Sequence, residues 1–296
     1  MIRFFVVIVA GLLTACSAVP MVDSPSTNQD NRIHVLVLHF TSEDFAESMR
    51  LLATPVRFRV SVHYVVPEPG DETYTRDRLV VHRLVKESQR ARHAGISYWA
   101  GRQSLNDSSI GIEIVNKSGC VSIDPEITEP LPEQQDCRFL DYPEEQIELV
   151  IALCRDILAR NPDIDPVDVI GHGDVAPNRR VDPGPQFPWK RLYDNDIGAW
   201  YDDDTVDRYR LALAKNPREL EFLQRALNLY GYDLDASGEN DARSRFAVRA
   251  FQMHFRPEKY DGTFDRETAA ILLALLEKYR PEQLQQLVQP AMSESP

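Results

Sequence analysis

Positive charge is scarce in this chain: 33 Lys and Arg stand against 46 Asp and Glu, a net charge of −13 at pH 7. So acidic a protein repels a polyphosphate, which argues against nucleic acid as its partner. Long apolar runs are lacking as well. The run from Phe4 to Leu13 is about half the roughly twenty residues that a membrane-spanning helix needs. Cysteine is limited to four positions. What is present is an ordinary 43% of hydrophobic residues in 296, room for two domains.

The first residues read as an export signal. Met1-Ile2-Arg3 is a short basic start, the apolar run follows, and Leu13-Thr14-Ala15-Cys16 has the form of a lipobox. Cleavage after residue 15 and lipidation of Cys16 would anchor the protein to a membrane surface without spanning it. Ser17 rather than Asp follows, which by analogy with lipoprotein sorting favours the outer membrane, facing the periplasm. Residues 16–31, rich in Ser, Pro, Asn, Gln and Asp, read as a flexible tether. Export permits a disulfide between Cys120 and Cys137, which bracket a Pro-rich insertion. Cys154 falls on the apolar face of a helix and reads as core packing.

Two strand-end histidines carry the chemistry. Val167, Val169 and Ile170 make a short buried strand that Gly171 ends, and His172 follows. The next stretch, through Trp189, holds Arg179, Arg180, Asp182 and four prolines, so it is irregular yet stiff enough to aim side chains. Arg32 to Thr41 is apolar on both faces, as a strand in the middle of a covered sheet is, and His39 lies at its end. In open α/β sheets the functional crevice lies outside the carboxyl ends of the strands. His39, His172 and Asp182 there form an N/N/O set, the pattern of a catalytic zinc with its fourth position open. His63, in a strand expected over residues 59–66, is the rival ligand. No further Cys or His stands where it would close a structural zinc site.

Around these lie further strands and helices. Ser109 to Asn116 has period two, with Ile110, Ile112 and Ile114 on one face and Glu113 on the other. That strand is too apolar for a wet face, so Glu113 belongs in a covered crevice. Residues 45–52 read as a helix, and a second helix opens at Tyr142-Pro143-Glu144-Glu145, with Pro at its beginning, and is stopped by Asn161-Pro162. Asn106 offers an amide to a peptide.

Val37-Leu38-His39-Phe40-Thr41, Ser61-Val62-His63-Tyr64, His93-Ala94-Gly95-Ile96-Ser97, Ser109 to Asn116, and Gly171-His172 with Asp182-Pro183-Gly184-Pro185 resemble the zinc-dependent N-acetylmuramoyl-L-alanine amidases of the amidase-2 class. That fold is shared with peptidoglycan recognition proteins. The likeness runs over about residues 12 to 280. It implies an α/β catalytic domain, a mixed central sheet flanked by helices, over residues 32–190. It also implies hydrolysis of the amide between N-acetylmuramic acid and L-alanine in peptidoglycan or muropeptides. By resemblance, His39, His172 and Asp182 hold Zn²⁺, Glu113 is the general base, and Arg180 steadies the oxyanion. His93 and Ala94 correspond to substrate contacts, and His63 stays outside the metal set. Two positions depart from the pattern: Arg92 stands where an aromatic is common, and Arg180 where Lys is usual.

Residues 191–216 read as a connection. Residues 217–280 show three amphipathic helices, a small bundle, with Leu223-Gln224, Ala250-Phe251-Gln252 and Asp261-Gly262 similar to a peptidoglycan-binding family; 281–296 read as a tail. Whether the bundle binds wall or only braces the catalytic domain stays open. A monomer is expected. The competing reading of the whole is a recognition protein without turnover. Such proteins typically lack a metal ligand, whereas this chain keeps all three.

Overall fold

The structure is a computed structural model and describes residue 19 and residues 21–55, 59–128 and 130–288. The signal segment and Cys16 lie outside the described residues. From Asn31 onward the chain is one compact unit. Among the described residues no helix is long and apolar enough to cross a membrane.

In chain order the elements are β1 (Val35–Phe40), α1 (Phe45–Ala53), β2 (Tyr64–Val66), β3 (His82–Arg83), β4 (Tyr98–Trp99), β5 (Arg102–Gln103), β6 (Ser109–Ile114), β7 (Gly119–Ser122) and β8 (Gln135–Arg138). Then follow α2 (Glu144–Arg160), β9 (Val169–Gly171), α3 (His172–Val175), α4 (Trp189–Tyr193), α5 (Asp203–Lys215), α6 (Leu220–Tyr230), α7 (Ala242–Phe255), α8 (Arg266–Tyr279) and α9 (Pro281–Val288). The central sheet has the order β3-β2-β6-β1-β9. β1 pairs in parallel with both β6 and β9, β2 in parallel with β6, and only edge strand β3 runs antiparallel. This is the mixed sheet expected, and β1 sits inside it because all six of its residues are buried.

Parallel pairing has a positional consequence. β1, β6 and β9 all end at one edge of the sheet, so His39, Glu113 and His172 arrive there together. The register sets His39 opposite Glu113. α2 closes one face with Ile147, Val150, Ile151, Cys154 and Ile157 at helical spacing, all within the main core. Cys154 is buried there, where burial pushes its thiol up to about 12, so it stays a protonated core residue.

Three expectations are corrected. The strand expected over residues 59–66 is ordered as strand only from Tyr64, because the preceding backbone pairs with loops: the Ser61 amide donates to the Arg92 carbonyl at 3.1 Å. His63 therefore precedes the strand rather than sitting in its middle. The strand expected from Val167 starts at Val169, since Pro166 opens a 3₁₀ turn. The expected tail begins with a helix, α9, whose Leu284 is buried in the core; Pro281 takes the first helical position, where its missing N–H costs nothing.

In the bundle α6 packs on α8, α5 and α9 pack on α8 as well, and α7 meets α6 through the Phe251–Tyr230 ring contact and α8 through the Gln252–Thr268 hydrogen bond. One continuous cluster of buried side chains runs from Leu36 in the sheet through Trp99 and Tyr230 to Leu272 in α8. Trp99 is the hinge of that continuity. Its ring lies 5.0 Å from Tyr232 and 6.0 Å from Tyr230, edge to face. Gly231 is required there, because a Cβ would come within 2.8 Å of the indole.

Candidate metal centre and its cleft

His39 Nδ1, His172 Nδ1 and Asp182 Oδ2 form a tight triangle with edges of 3.0, 2.9 and 3.1 Å. Among the described residues they are the group of His, Cys, Asp or Glu placed to hold a metal ion, and all three are buried. Backbone closeness makes the triangle. The Gly173 amide donates to the Asp182 carbonyl at 2.8 Å, which folds the Pro-rich loop back onto α3. Gly171 permits this, since a Cβ there would meet Pro183 at 2.7 Å.

Hydrogen-bond direction shows what the three atoms present to one another. The Ala94 carbonyl can only accept, so His172 donates to it through Nε2–H at 3.2 Å and keeps a lone pair on Nδ1. On the other side, the Ser109 hydroxyl donates its one proton to the Leu105 carbonyl at 2.5 Å. It must then accept from His93 Nε2–H, 3.1 Å away. That leaves a lone pair on His93 Nδ1 facing His39 Nε2 at 3.0 Å, so His39 is the donor and its Nδ1 also carries a lone pair. Burial first, then His172, lowers the His39 pKa to about 4, so the ring is neutral at pH 7. Two imidazole lone pairs and a carboxylate oxygen about 3 Å apart repel one another unless a cation lies between them. Zinc bonds of about 2.0–2.1 Å in a tetrahedron set donors about 3.3–3.4 Å apart, so this donor set fits zinc after a relaxation of a few tenths of an ångström.

His93, expected to touch substrate, thus stands behind His39 and fixes its tautomer, as a partner of a metal-ligating histidine does. Its ring lies flat on β6 where Gly111 makes room: a Cβ would meet the imidazole at 2.6 Å. Ala94 and Asn106, also expected at the substrate, are buried and hydrogen-bonded behind the triangle. Ala94 is fully buried and works through its carbonyl on His172. Asn106 is buried too, and its Oδ1 accepts from the His93 and Ala94 amides at 2.9 and 2.8 Å, clamping that loop. His63 has both ring nitrogens engaged, Nδ1 accepting from the Gly111 amide at 3.0 Å and Nε2 facing the Gln89 carbonyl at 3.2 Å. It is therefore a structural hydrogen-bonding residue, outside the triangle as the resemblance implies.

A cleft of about 770 Å³ opens beside the triangle, lined by Glu113, His93, Arg92, Arg180 and residues of α7. Glu113 is partly exposed in it, with Oε2 buried and without a hydrogen-bond partner. Burial, then the Asp182 charge, hold its carboxyl well above the usual range, while Arg180 pulls the other way. Arg180 is exposed at the rim. Arg179, which the sequence left without a role, ties the metal loop to the His93 loop: its guanidinium donates to the Ala94 and Ile96 carbonyls.

The cleft has a second wall. β7 and β8 form a hairpin, paired Cys120 to Cys137 and closed by a disulfide between those two residues. Arg249 of α7 reaches it, and Ala242 and Phe246 of α7 line the same cleft. Deeper down, Asp174 in the turn after His172 accepts from Tyr232 at 2.5 Å, from His254 at 2.9 Å and from the Gly171 amide at 2.8 Å. His254 is stacked on Trp189, with ring centroids 3.8 Å apart. Apart from the disulfide itself, neither clasp left a signal in the sequence, since its partners are 58 to 129 residues apart.

Residues 29–185 match the N-acetylmuramoyl-L-alanine amidase family, and residues 217–272 match a peptidoglycan binding domain family. N-acetylmuramoyl-L-alanine amidase AmiD of Escherichia coli (strain K12) is 41% identical over 249 residues, 84% of each chain. AmpDh3 from Pseudomonas aeruginosa, in complex with anhydromuramic pentapeptide, superposes with a TM-score of 0.77 at 45% identity, covering 87% of this chain and 96% of that one. The complex of AmiD from E. coli with anhydro-N-acetylmuramic acid-L-Ala-D-gamma-Glu-L-Lys gives 0.72 at 39% identity, over 86% and 93%. With likeness of that extent joined to a sheet-edge triad and carboxylate in one cleft, the chain belongs to the N-acetylmuramoyl-L-alanine amidase family.

Proposed function

We propose that this protein hydrolyses the amide between N-acetylmuramic acid and the L-alanine of the stem peptide, in peptidoglycan or in muropeptides released from it, as part of cell-wall turnover or recycling. The observation that carries the reading is the triangle of His39, His172 and Asp182 with Glu113 on the neighbouring strand, opposite His39 in register. A recognition protein without turnover has no need of that full set.

His39, His172 and Asp182 would hold Zn²⁺. When bound, zinc supplies a Lewis acid for the scissile carbonyl and lowers the pKa of a water toward about 7. Glu113 takes the proton of the attacking water and returns it to the leaving alanine nitrogen. A carboxyl whose proton affinity burial has raised suits both halves of that exchange. Arg180 brings a fixed positive charge to the developing oxyanion. Unlike the usual Lys it cannot release a proton, so its part is electrostatic alone. His93 and Ser109 keep the His39 lone pair aimed, and Ala94 does the same for His172.

The peptide named in the AmiD complex is linked through the γ-carboxyl of D-Glu. Such a linkage leaves the α-carboxyl free, so a peptide of this kind carries negative charge close to the scissile bond. The test of the reading is mass spectrometry of purified muropeptides after incubation, with and without a chelator. Free stem peptide and free sugar should appear, and the chelator should abolish both. Intact muropeptide in the untreated reaction would assign the chain to binding alone.

The lipobox supports an outer-membrane lipoprotein facing the periplasm, anchored through lipidated Cys16. Cys16→Ala should move the protein from the outer-membrane fraction to a soluble or precursor form. A parent protein already soluble in the periplasm would refute the anchor.

A further inference from the structure

We infer that Arg249, in the C-terminal helical part, forms an anion subsite of the amidase cleft and binds a free carboxylate of the stem peptide. This rests on the amidase reading above and assigns the helical part a share in substrate selection.

Arg249 is 5% exposed yet lines the same cleft as Glu113, His172 and Asp182. A buried guanidinium is expected to face an anion, because losing its water is costly unless a counter-charge replaces it. Among the described residues no carboxylate pairs with it. Nη1 donates to the amide oxygen of Gln135 at 2.7 Å, and Nη2 points at the disulfide sulfurs, 3.1 Å from Cys137 and 3.8 Å from Cys120. A neutral amide and a weakly accepting sulfur leave the charge uncompensated. Nε has no acceptor among the described residues.

One turn earlier on the same helix the contrast is plain. Arg245 faces the same hairpin and there meets Glu133 through two hydrogen bonds, at 2.9 and 2.5 Å. The hairpin therefore supplies a carboxylate to the arginine at the edge and withholds one from the arginine in the cleft. Arg92 and Arg180, also cations of the cleft, are exposed to solvent. Arg179 is engaged by the carbonyls of Ala94 and Ile96. Arg249 is thus the cleft cation that is both desolvated and unneutralised. A planar fork of this kind takes a carboxylate in two parallel hydrogen bonds.

A stem peptide offers two carboxylates of the same chemistry, the free α-carboxyl of a γ-linked D-Glu and the C-terminal one. The experiment uses the full zinc-loaded protein and three muropeptides: the free acid, the same compound amidated at the D-Glu α-carboxyl, and the same compound amidated at the C-terminus. In the parent protein one of the amides should be cut with kcat/KM lower than the acid by about 10- to 100-fold, the worth of a charge-assisted hydrogen bond. Which amide suffers identifies the carboxylate. Arg249→Gln should bring that acid-to-amide ratio close to one, and Arg249→Lys should restore part of it. Zinc content and melting temperature of each variant report whether it has folded. Arg249→Lys and the parent's own preference keep the test alive if Arg249→Gln does not fold. A parent ratio of one for both amides, or an unchanged ratio in both variants, overturns the subsite. Equal losses on all three substrates would make Arg249 a strut between α7 and the hairpin, and overturn it too. Failure of the parent to cut any of them would instead refute the amidase reading.

Discussion

Glu113→Gln should lower turnover by roughly 10²- to 10⁴-fold, the usual contribution of a positioned general base, while the protein keeps its zinc. Gln is nearly isosteric and can still hydrogen-bond, but it cannot accept the proton of water. The ligand triangle should not notice the change, because Glu113 makes no hydrogen bond to any of its three members. Steady-state kinetics beside metal analysis checks both halves. Loss of zinc, or parental turnover, would remove Glu113 from the role. The same variant carries a second signature in metal-free protein. Glu113 is held above its unfolded value by burial, so above the unfolded carboxyl pKa the folded state binds more protons than the unfolded chain. Stability then falls as pH rises from that point. Glu113→Gln removes this titration, so its melting temperature should fall less over the same rise in pH.

The second large effect is on the metal itself. His39→Ala, His172→Ala and Asp182→Ala should each strip the zinc, of which the parent should hold about one per chain, and abolish activity. His93→Phe should act differently. It keeps an aromatic ring against Gly111 but gives His39 no acceptor, so zinc should bind about 10- to 100-fold more weakly without being lost. Zinc titration against a competing chelator separates these outcomes. Full occupancy in His39→Ala would show that His39 is not a ligand. Parental affinity in His93→Phe would show that the hydrogen bond to His39 does not orient it.

The ligand triangle could be read in the sequence because each histidine follows an apolar strand and the carboxylate sits in a stiff loop. Such positions leave few directions for a side chain. Glu113 was legible for a related reason, as a charge in a strand too apolar to face water. The shell behind them was not. His93, Ala94 and Asn106 lie in one loop cluster, and spacing alone does not tell whether a loop residue faces the substrate or the ligands. Ala94 and Asn106 turn inward, whereas His93 lines the cleft and also backs His39, in the room that Gly111 leaves. Ser109 matters only because its proton goes to Leu105, a fact of three-dimensional neighbourhood. α9 is legible in principle, since Pro281 and the spacing of Leu284, Leu287 and Val288 are helix signals.

The Trp99–Gly231 contact and the grip of Tyr232 and His254 on Asp174 bear on how such chains can be recombined. A segment that matches a peptidoglycan binding domain family invites use as an interchangeable cassette. Here an exchange would have to present a glycine under the Trp99 indole, where any Cβ meets the ring at 2.8 Å. It would also need a hydroxyl and an imidazole for the carboxylate two residues beyond His172. Most helical cassettes would bring none of these, and would leave a buried acid unsatisfied beside the triangle of His39, His172 and Asp182. Chimaeras joined at about residue 217 should therefore work only between close relatives, and the two halves of the chain are constrained to diverge together.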